Sequence, residues 1–265
     1  MHIRTELNNF ASGLQYVASA PKFMLQHHLL RYYAFILIIL VFVAIANFKL
    51  SAFVIDAITQ MAFSNLLSFE NTSIWQGVGS KIWFFISTLF SAVIALMMSF
   101  YIILIVLSPL FSFLAEKSIS IITQRKFEFS LALMCKNIVR SCYIVVRNLA
   151  LQIIMTILVG ILLIIPGIFI PGMSLIATLL IFLTDSFFLG FSMADYSMEV
   201  LGLNAKGSIS FASRHKGLIT AIGLPYTLTK LLPFVGLAIA LFVAPLCVVG
   251  AARAFAEAEE EKKDF

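Results

Sequence analysis

Four long uncharged stretches divide the chain, and each poses the question of how it meets a bilayer. The first runs from Tyr32 to Phe48, "YYAFILIILVFVAIANF", between Arg31 and Lys49. A hydrocarbon core of about 30 Å needs about 17 to 25 helical residues. This stretch therefore predicts one plain spanning helix, with a tyrosine pair at the interfacial belt. The second, Ile82 to Ala115, is too long for one straight span at about 1.5 Å per residue. "LSPLFSFLAEK" supplies a break, because Ser108 can cap a new helix and Pro109 fits a first turn, where a missing N–H costs nothing. The pattern predicts a span ending near residue 106, then a differently directed helix running through Glu116 and Lys117.

The third stretch, Asn148 to Thr184, is interrupted at its centre by "IIPGIFIPG". Pro166 and Pro171 cannot continue a helix, while Gly167 and Gly172 permit a reversal. A wholly apolar turn suits membrane depth, where irregular backbone is tolerated when protein or a wet cavity shields it. The pattern predicts a re-entrant hairpin whose tip stops short of the far face. The fourth stretch, Leu218 to Ala252, repeats the design with Pro225, "LLPFVG" carrying Pro233 at the tip, Pro245, and Lys230 near the turn. The expected fold is an all-α integral membrane protein with two spanning helices plus two re-entrant, partly penetrating helical hairpins. Four ordinary spans kinked by proline is the alternative.

Composition agrees with a membrane setting. Hydrophobic residues make up 61% of the chain and charged residues 12%, and the mean hydropathy is +1.03; a soluble domain holds about 25% charged residues. No segment is polar enough to fold separately in water, so residues 1–265 read as a single membrane domain ending in a charged tail, 257–265. That tail reads as a solvated helix end or a disordered stub. Polar "MHIRTELNNFASGLQ" precedes the first apolar run with no cleavage signature, so that run is expected to remain. Arg4, Lys22 and Arg31 precede the first span, and Lys117, Arg125, Lys126, Lys136, Arg140 and Arg147 follow the second. The positive-inside rule then puts the termini and the 116–147 segment in the cytoplasm. "AFVIDAITQMAFSNLLSF", in the loop between those spans, has the pattern of an interfacial helix.

Little chemistry of the enzymatic kind is visible. Cys135, Cys142 and Cys247 are too few and scattered for a disulfide framework or zinc site. No P-loop, HExxH or Ser-His-Asp pattern occurs. The chain is not expected to be an enzyme, to carry a cofactor or metal, or to bind nucleic acid. Asp185 and Asp195, ten residues apart, do not share a helix face; an acid inside a membrane marks a functional site by default, although Asp185 can equally mark the water line. Glu116 reads as half of a structural ion pair, either with a neighbour of Lys117 or with Arg140. Two basic segments, around Arg140 and around Arg214, can focus an anion at a pore mouth or grip anionic lipid headgroups.

The chain resembles the CysZ-type sulfate permeases, which are also grouped with the etoposide-induced membrane proteins. The resemblance covers about residues 9–256 and rests on "GLQYVASAPKFM", "LSPLFSFLAEK", "IPGIFIPG", "ADYSMEVLGL", "SFASRHKG", "LLPFVG" and "APLCVVGAARAF" in that order. It implies two true spans and two partly penetrating hairpins assembled into homo-oligomers, and passage of sulfate into a bacterial cell across its plasma (inner) membrane. Of the Gly-x-Arg-Arg run that the resemblance implies before the first span, only Arg31 carries over, in "HHLLRYY" with His27 and His28 beside it. The expected anion-binding residues are Arg31, His28, Arg140 and Arg214, with Pro166, Gly167, Pro171, Gly172 and Pro233 forming the hairpin tips. Two functions follow: an anion channel or permease, or a non-transporting membrane scaffold that contacts lipid or partner proteins.

Overall fold

The computed structural model of the protein describes residues 2–32, 98–125, 131–167, 172–232 and 235–261, with isolated positions and pairs elsewhere. The first expected span, the loop after it and the opening of the second span lie largely outside the described residues, as do Pro171 and Pro233. Regular structure among the described residues is all helical: α1 (His2–Gln26), α2 (Met98–Val106), α3 (Ser108–Thr123), α4 (Leu131–Val159), α5 (Met173–Val200), α6 (Ala205–Arg214), α7 (Lys216–Thr229) and α8 (Gly236–Glu261). Among the described residues, three helical stretches are long and apolar enough to cross a membrane: Val139–Leu163, Met173–Val200 and Gly236–Glu260. Taken together, α2 and α3 form a fourth, bent by 62°.

That bend falls where the proline pattern placed it, with one correction. The N-cap of α3 is Leu107, without a side-chain cap hydrogen bond. Ser108 is instead the first helical residue, and its buried hydroxyl makes no hydrogen bond. The last carbonyls of α2 have no intrahelical partner at such a break. Tyr196 of α5 supplies one, its hydroxyl donating to Leu104 O at 2.7 Å. One turn earlier on α2, Tyr226 of α7 donates to Phe100 O at 3.0 Å. These two tyrosines, fully buried, are among the largest side chains of the core.

α4 runs on into a π-helical turn, Gly160–Ile164, and a last helical turn at Ile165–Gly167. Pro166 explains the wider turn: its ring lacks an N–H and crowds the carbonyl one turn back, and a π-bulge relieves both. Gly172, at φ 92°, then opens α5 in the left-handed region that glycine alone enters without cost. The halves of α4 and α5 near this turn expose Ile154, Ile157, Ile161, Leu175, Ile176 and Leu179, an apolar surface suited to lipid. Towards the other end, residues 185–199 of α5 are enclosed by α4, α7, α8 and the α2–α3 pair.

α5 crosses α7 in close contact at Gly190 and Gly223. A methyl group on Gly190 would stand 2.7 Å from Gly223 N, and one on Gly223 would stand 2.7 Å from Gly190 Cα. Glycines at both positions let the backbones touch, the usual means of tight helix association where water cannot drive it. α1, which the hydropathy pattern did not single out, lies against α7 and α8 with Val17, Ala20 and Met24 buried. Its Glu6 accepts from the Gly217 backbone N–H at 2.6 Å, placing a carboxylate on the first turn of α7.

α7 has 14 residues, about 21 Å of helix, which falls short of a hydrocarbon core. Its C-cap, Lys230, reaches Asp185 of α5. Asp185 lies 12 residues beyond Met173, about 18 Å along the helix from the α4–α5 turn. The end of α7 therefore lies beside the middle of α5, short of the α4–α5 turn.

Candidate functional site

The interface of α4 with α5 is polar along much of its length, in helices otherwise rich in apolar residues. Asp185, Ser192 and Glu199 recur every seven residues on α5, close to two helical turns, so they share one face. Antiparallel to them stand Gln152, Asn148 and Ser141 of α4. Gln152 Nε2 donates to Asp185 Oδ1. Asn148 Nδ2 donates to Ser192 Oγ at 2.9 Å, and Ser141 Oγ donates to Glu199 Oε2 at 3.2 Å. All six residues are buried. Fourteen residues of α5 separate Asp185 from Glu199, so the seam extends about 21 Å.

Each end of the seam holds an ion pair. At one end Arg140 Nη2 lies 2.8 Å from Asp195 Oδ1 and 2.8 Å from Ser208 Oγ, while Nη1 donates to Leu203 O. The guanidinium thus ties α4 to α5, to α6 and to the turn between them, a geometry that its planar fork allows and a lysine would not match. Arg140 Nε and Asp195 Oδ2 make no hydrogen bond, so the pair retains one donor and one acceptor for water. At the other end Lys230 Nζ lies 3.0 Å from Asp185 Oδ2 and 5.2 Å from the centre of the Phe100 ring. Tyr101 Oη donates to Gln152 Oε1, which links α2 to the same cluster. Four elements therefore converge on Asp185: α2, α4, α5 and the end of α7.

The residues expected from sequence fall in three places. Arg140 lies in the seam, paired with Asp195; the expected partner Glu116 does not hold it. Arg214 ends α6 on the exposed side, donating from Nε to Ser210 O at 3.2 Å and from Nη2 to Ser210 Oγ at 3.0 Å. α6 therefore meets Arg140 at buried Ser208 and Arg214 at exposed Ser210. Arg31 and His28 stand apart from both, past the end of α1. Arg31 is exposed, with Nη2 donating to Tyr32 Oη at 3.0 Å, and no carboxylate among the described residues pairs with Arg31 or Arg214. His28 has φ 55°; its N–H reaches Leu25 O and the Leu29 N–H reaches Met24 O, the Schellman closure in which glycine usually stands.

Of the turn residues, Pro166, Gly167 and Gly172 are described at the α4–α5 turn, where Ile170 N–H donates to Pro166 O at 3.0 Å. Cys247 is buried, and Cys142 is partly exposed beside Tyr143 and Arg147. The charged tail continues α8 to Glu261, with Glu259 2.8 Å from Arg125. Among the described residues no cluster of His, Cys, Asp and Glu has the makings of a metal site.

Sequence reasoning found Asp185, Lys230, Asp195 and Arg140 but paired none of them correctly, and it passed over Tyr101, Asn148 and Gln152. A signal was present in the seven-residue spacing of polar positions 185, 192 and 199, matched by 141 and 148 on the neighbouring helix.

A family model described as "Sulfate transporter CysZ/Etoposide-induced protein 2.4" matches residues 10–240. No curated protein matches the chain.

Proposed function

We propose, from the premise that the chain belongs to the sulfate transporter CysZ/etoposide-induced protein 2.4 family, that it conducts sulfate or a related oxyanion across a bacterial plasma membrane. The observation that supports this reading is the polar seam, with an ion pair at each end, inside helices apolar enough to lie in lipid. A protein that only had to hold its helices together could do so with apolar packing at lower cost, since buried charges are expensive. In this reading α4–α5 crosses most or all of the bilayer, and the shorter α7–α8 pair enters from the same side and stops near mid-depth. Arg31 and Arg214, whose charges no described acid neutralises, gather the anion from the cytoplasmic side, where both termini also lie. Lipid covers the bare apolar end of α4–α5, and copies of the chain assemble into a homo-oligomer.

The test is sulfate uptake into proteoliposomes holding the purified protein, against empty vesicles and the Arg31→Ala variant. Saturable uptake that falls with Arg31→Ala is the expected result. Folded, inserted protein with no uptake above empty vesicles overturns the reading. The second reading, a scaffold without flux, draws on the fact that both seam cations are already paired with acids; the same null result would favour it.

A further inference from the structure

We infer that Lys230 is the cation a permeating oxyanion engages at mid-depth, and that Asp185 is the internal counter-charge the anion displaces. This rests on the anion-permease reading and adds to it a specific station remote in sequence from Arg31.

Both side chains are enclosed, with exposures of 11% for Lys230 and 12% for Asp185. An apolar pair of equal volume commonly serves stability as well as a buried ion pair does, so packing alone does not account for the choice of residues. Position and chemistry account for it better. Lys230 caps the C-terminus of α7, where orphan carbonyls carry partial negative charge. Without an ammonium there, the end of α7 would repel an anion.

The ammonium has three N–H donors. Among the described residues its partners are Asp185 Oδ2 and the face of Phe100. A tetrahedral oxyanion offers the same kind of charged acceptor as Oδ2, so it can replace the carboxylate as the partner of Nζ. Asp185 stays in place when this happens, because Gln152 holds Oδ1 and Tyr101 holds Gln152. The flexible four-carbon stem of a lysine lets the charge turn from the acid to the anion.

Competition between carboxylate and anion fixes the signs of the test. Sulfate uptake is measured in proteoliposomes for the wild type, Asp185→Asn, Lys230→Gln and Lys230→Arg, each first shown to be monodisperse and inserted. Asp185→Asn removes the competitor while keeping an acceptor for Gln152; the half-saturating sulfate concentration should fall about tenfold, the worth of a charge-assisted hydrogen bond. Lys230→Gln should raise it, or reduce uptake, by at least about tenfold, and Lys230→Arg should recover part of the loss. A pair that only pins the helices predicts the same sign for both neutralising variants, and that outcome overturns the inference. If Lys230→Gln does not fold, Asp185→Asn decides alone: a half-saturating concentration equal to or above that of the wild type overturns it. Wild-type protein without uptake overturns the permease reading as well, whereas wild-type uptake with same-sign variants overturns only the station at Lys230.

Discussion

Lys230 Nζ lies 3.0 Å from Asp185 Oδ2, although 45 residues separate them in sequence. This contact sets the depth of the α7–α8 pair relative to α4–α5, since it places the end of α7 beside the middle of α5. It also brings α2 and α4 to the same point through Tyr101 and Gln152.

The Arg140–Asp195 pair should behave as a buried ion pair that is costly to break on one side. Arg140→Met leaves a carboxylate enclosed without its cation and should cost about 3 to 5 kcal/mol. The paired change Arg140→Met with Asp195→Leu should recover most of that loss. Thermal unfolding in detergent of both variants checks it, and equal losses in the two would show that the pair is not what holds this end of the seam.

Gly190→Ala and Gly223→Ala should each separate α5 from α7. Neither new methyl group has room beside the opposing backbone, and overpacking of this kind costs about 1 to 3 kcal/mol. The effects should be less than additive, because one separation relieves both clashes. A double-mutant cycle on melting temperature measures this; full additivity would mean that the two glycines act independently.

Tyr196→Phe preserves the ring packing against Phe111 and removes the hydrogen bond to Leu104 O. The orphaned carbonyl at the α2 break should cost about 1 to 3 kcal/mol. Increased hydrogen exchange confined to the α2–α3 junction is the expected signature, and an unchanged junction would count against the role given to Tyr196.

His28→Gly should leave the end of α1 intact and stabilise the protein by up to about 1 kcal/mol, because glycine enters the left-handed region without the strain a side chain brings. The variant also separates structure from transport at this position: a loss of sulfate uptake without loss of stability would assign the imidazole a part in anion handling.

Arg31→Ala should leave stability within about 0.5 kcal/mol, as expected of an exposed side chain whose described contacts are both with neighbouring Tyr32. A large drop in melting temperature would show instead that Arg31 holds the fold.

Hydropathy along the chain was enough to identify a helical membrane protein, to place the break before α3 and to locate the turn at Pro166–Gly172. Those properties follow from local chemistry: Pro109 suits the first turn of a new helix, Pro166 and Pro171 flank glycines that permit a reversal, and a run of apolar residues seeks lipid whatever its neighbours. The motif order was also enough to point to the family. The partners of the charges were not legible in the same way. Arg140 finds Asp195 at 55 residues' separation and Gln152 finds Asp185 at 33, and no linear pattern ranks such pairings above the local alternatives, as the Glu116–Arg140 alternative illustrates. Tertiary packing decided them. The backbone contact at Gly190 and Gly223 sets how α5 and α7 cross, and that crossing determines which polar groups meet once water is no longer available to satisfy them.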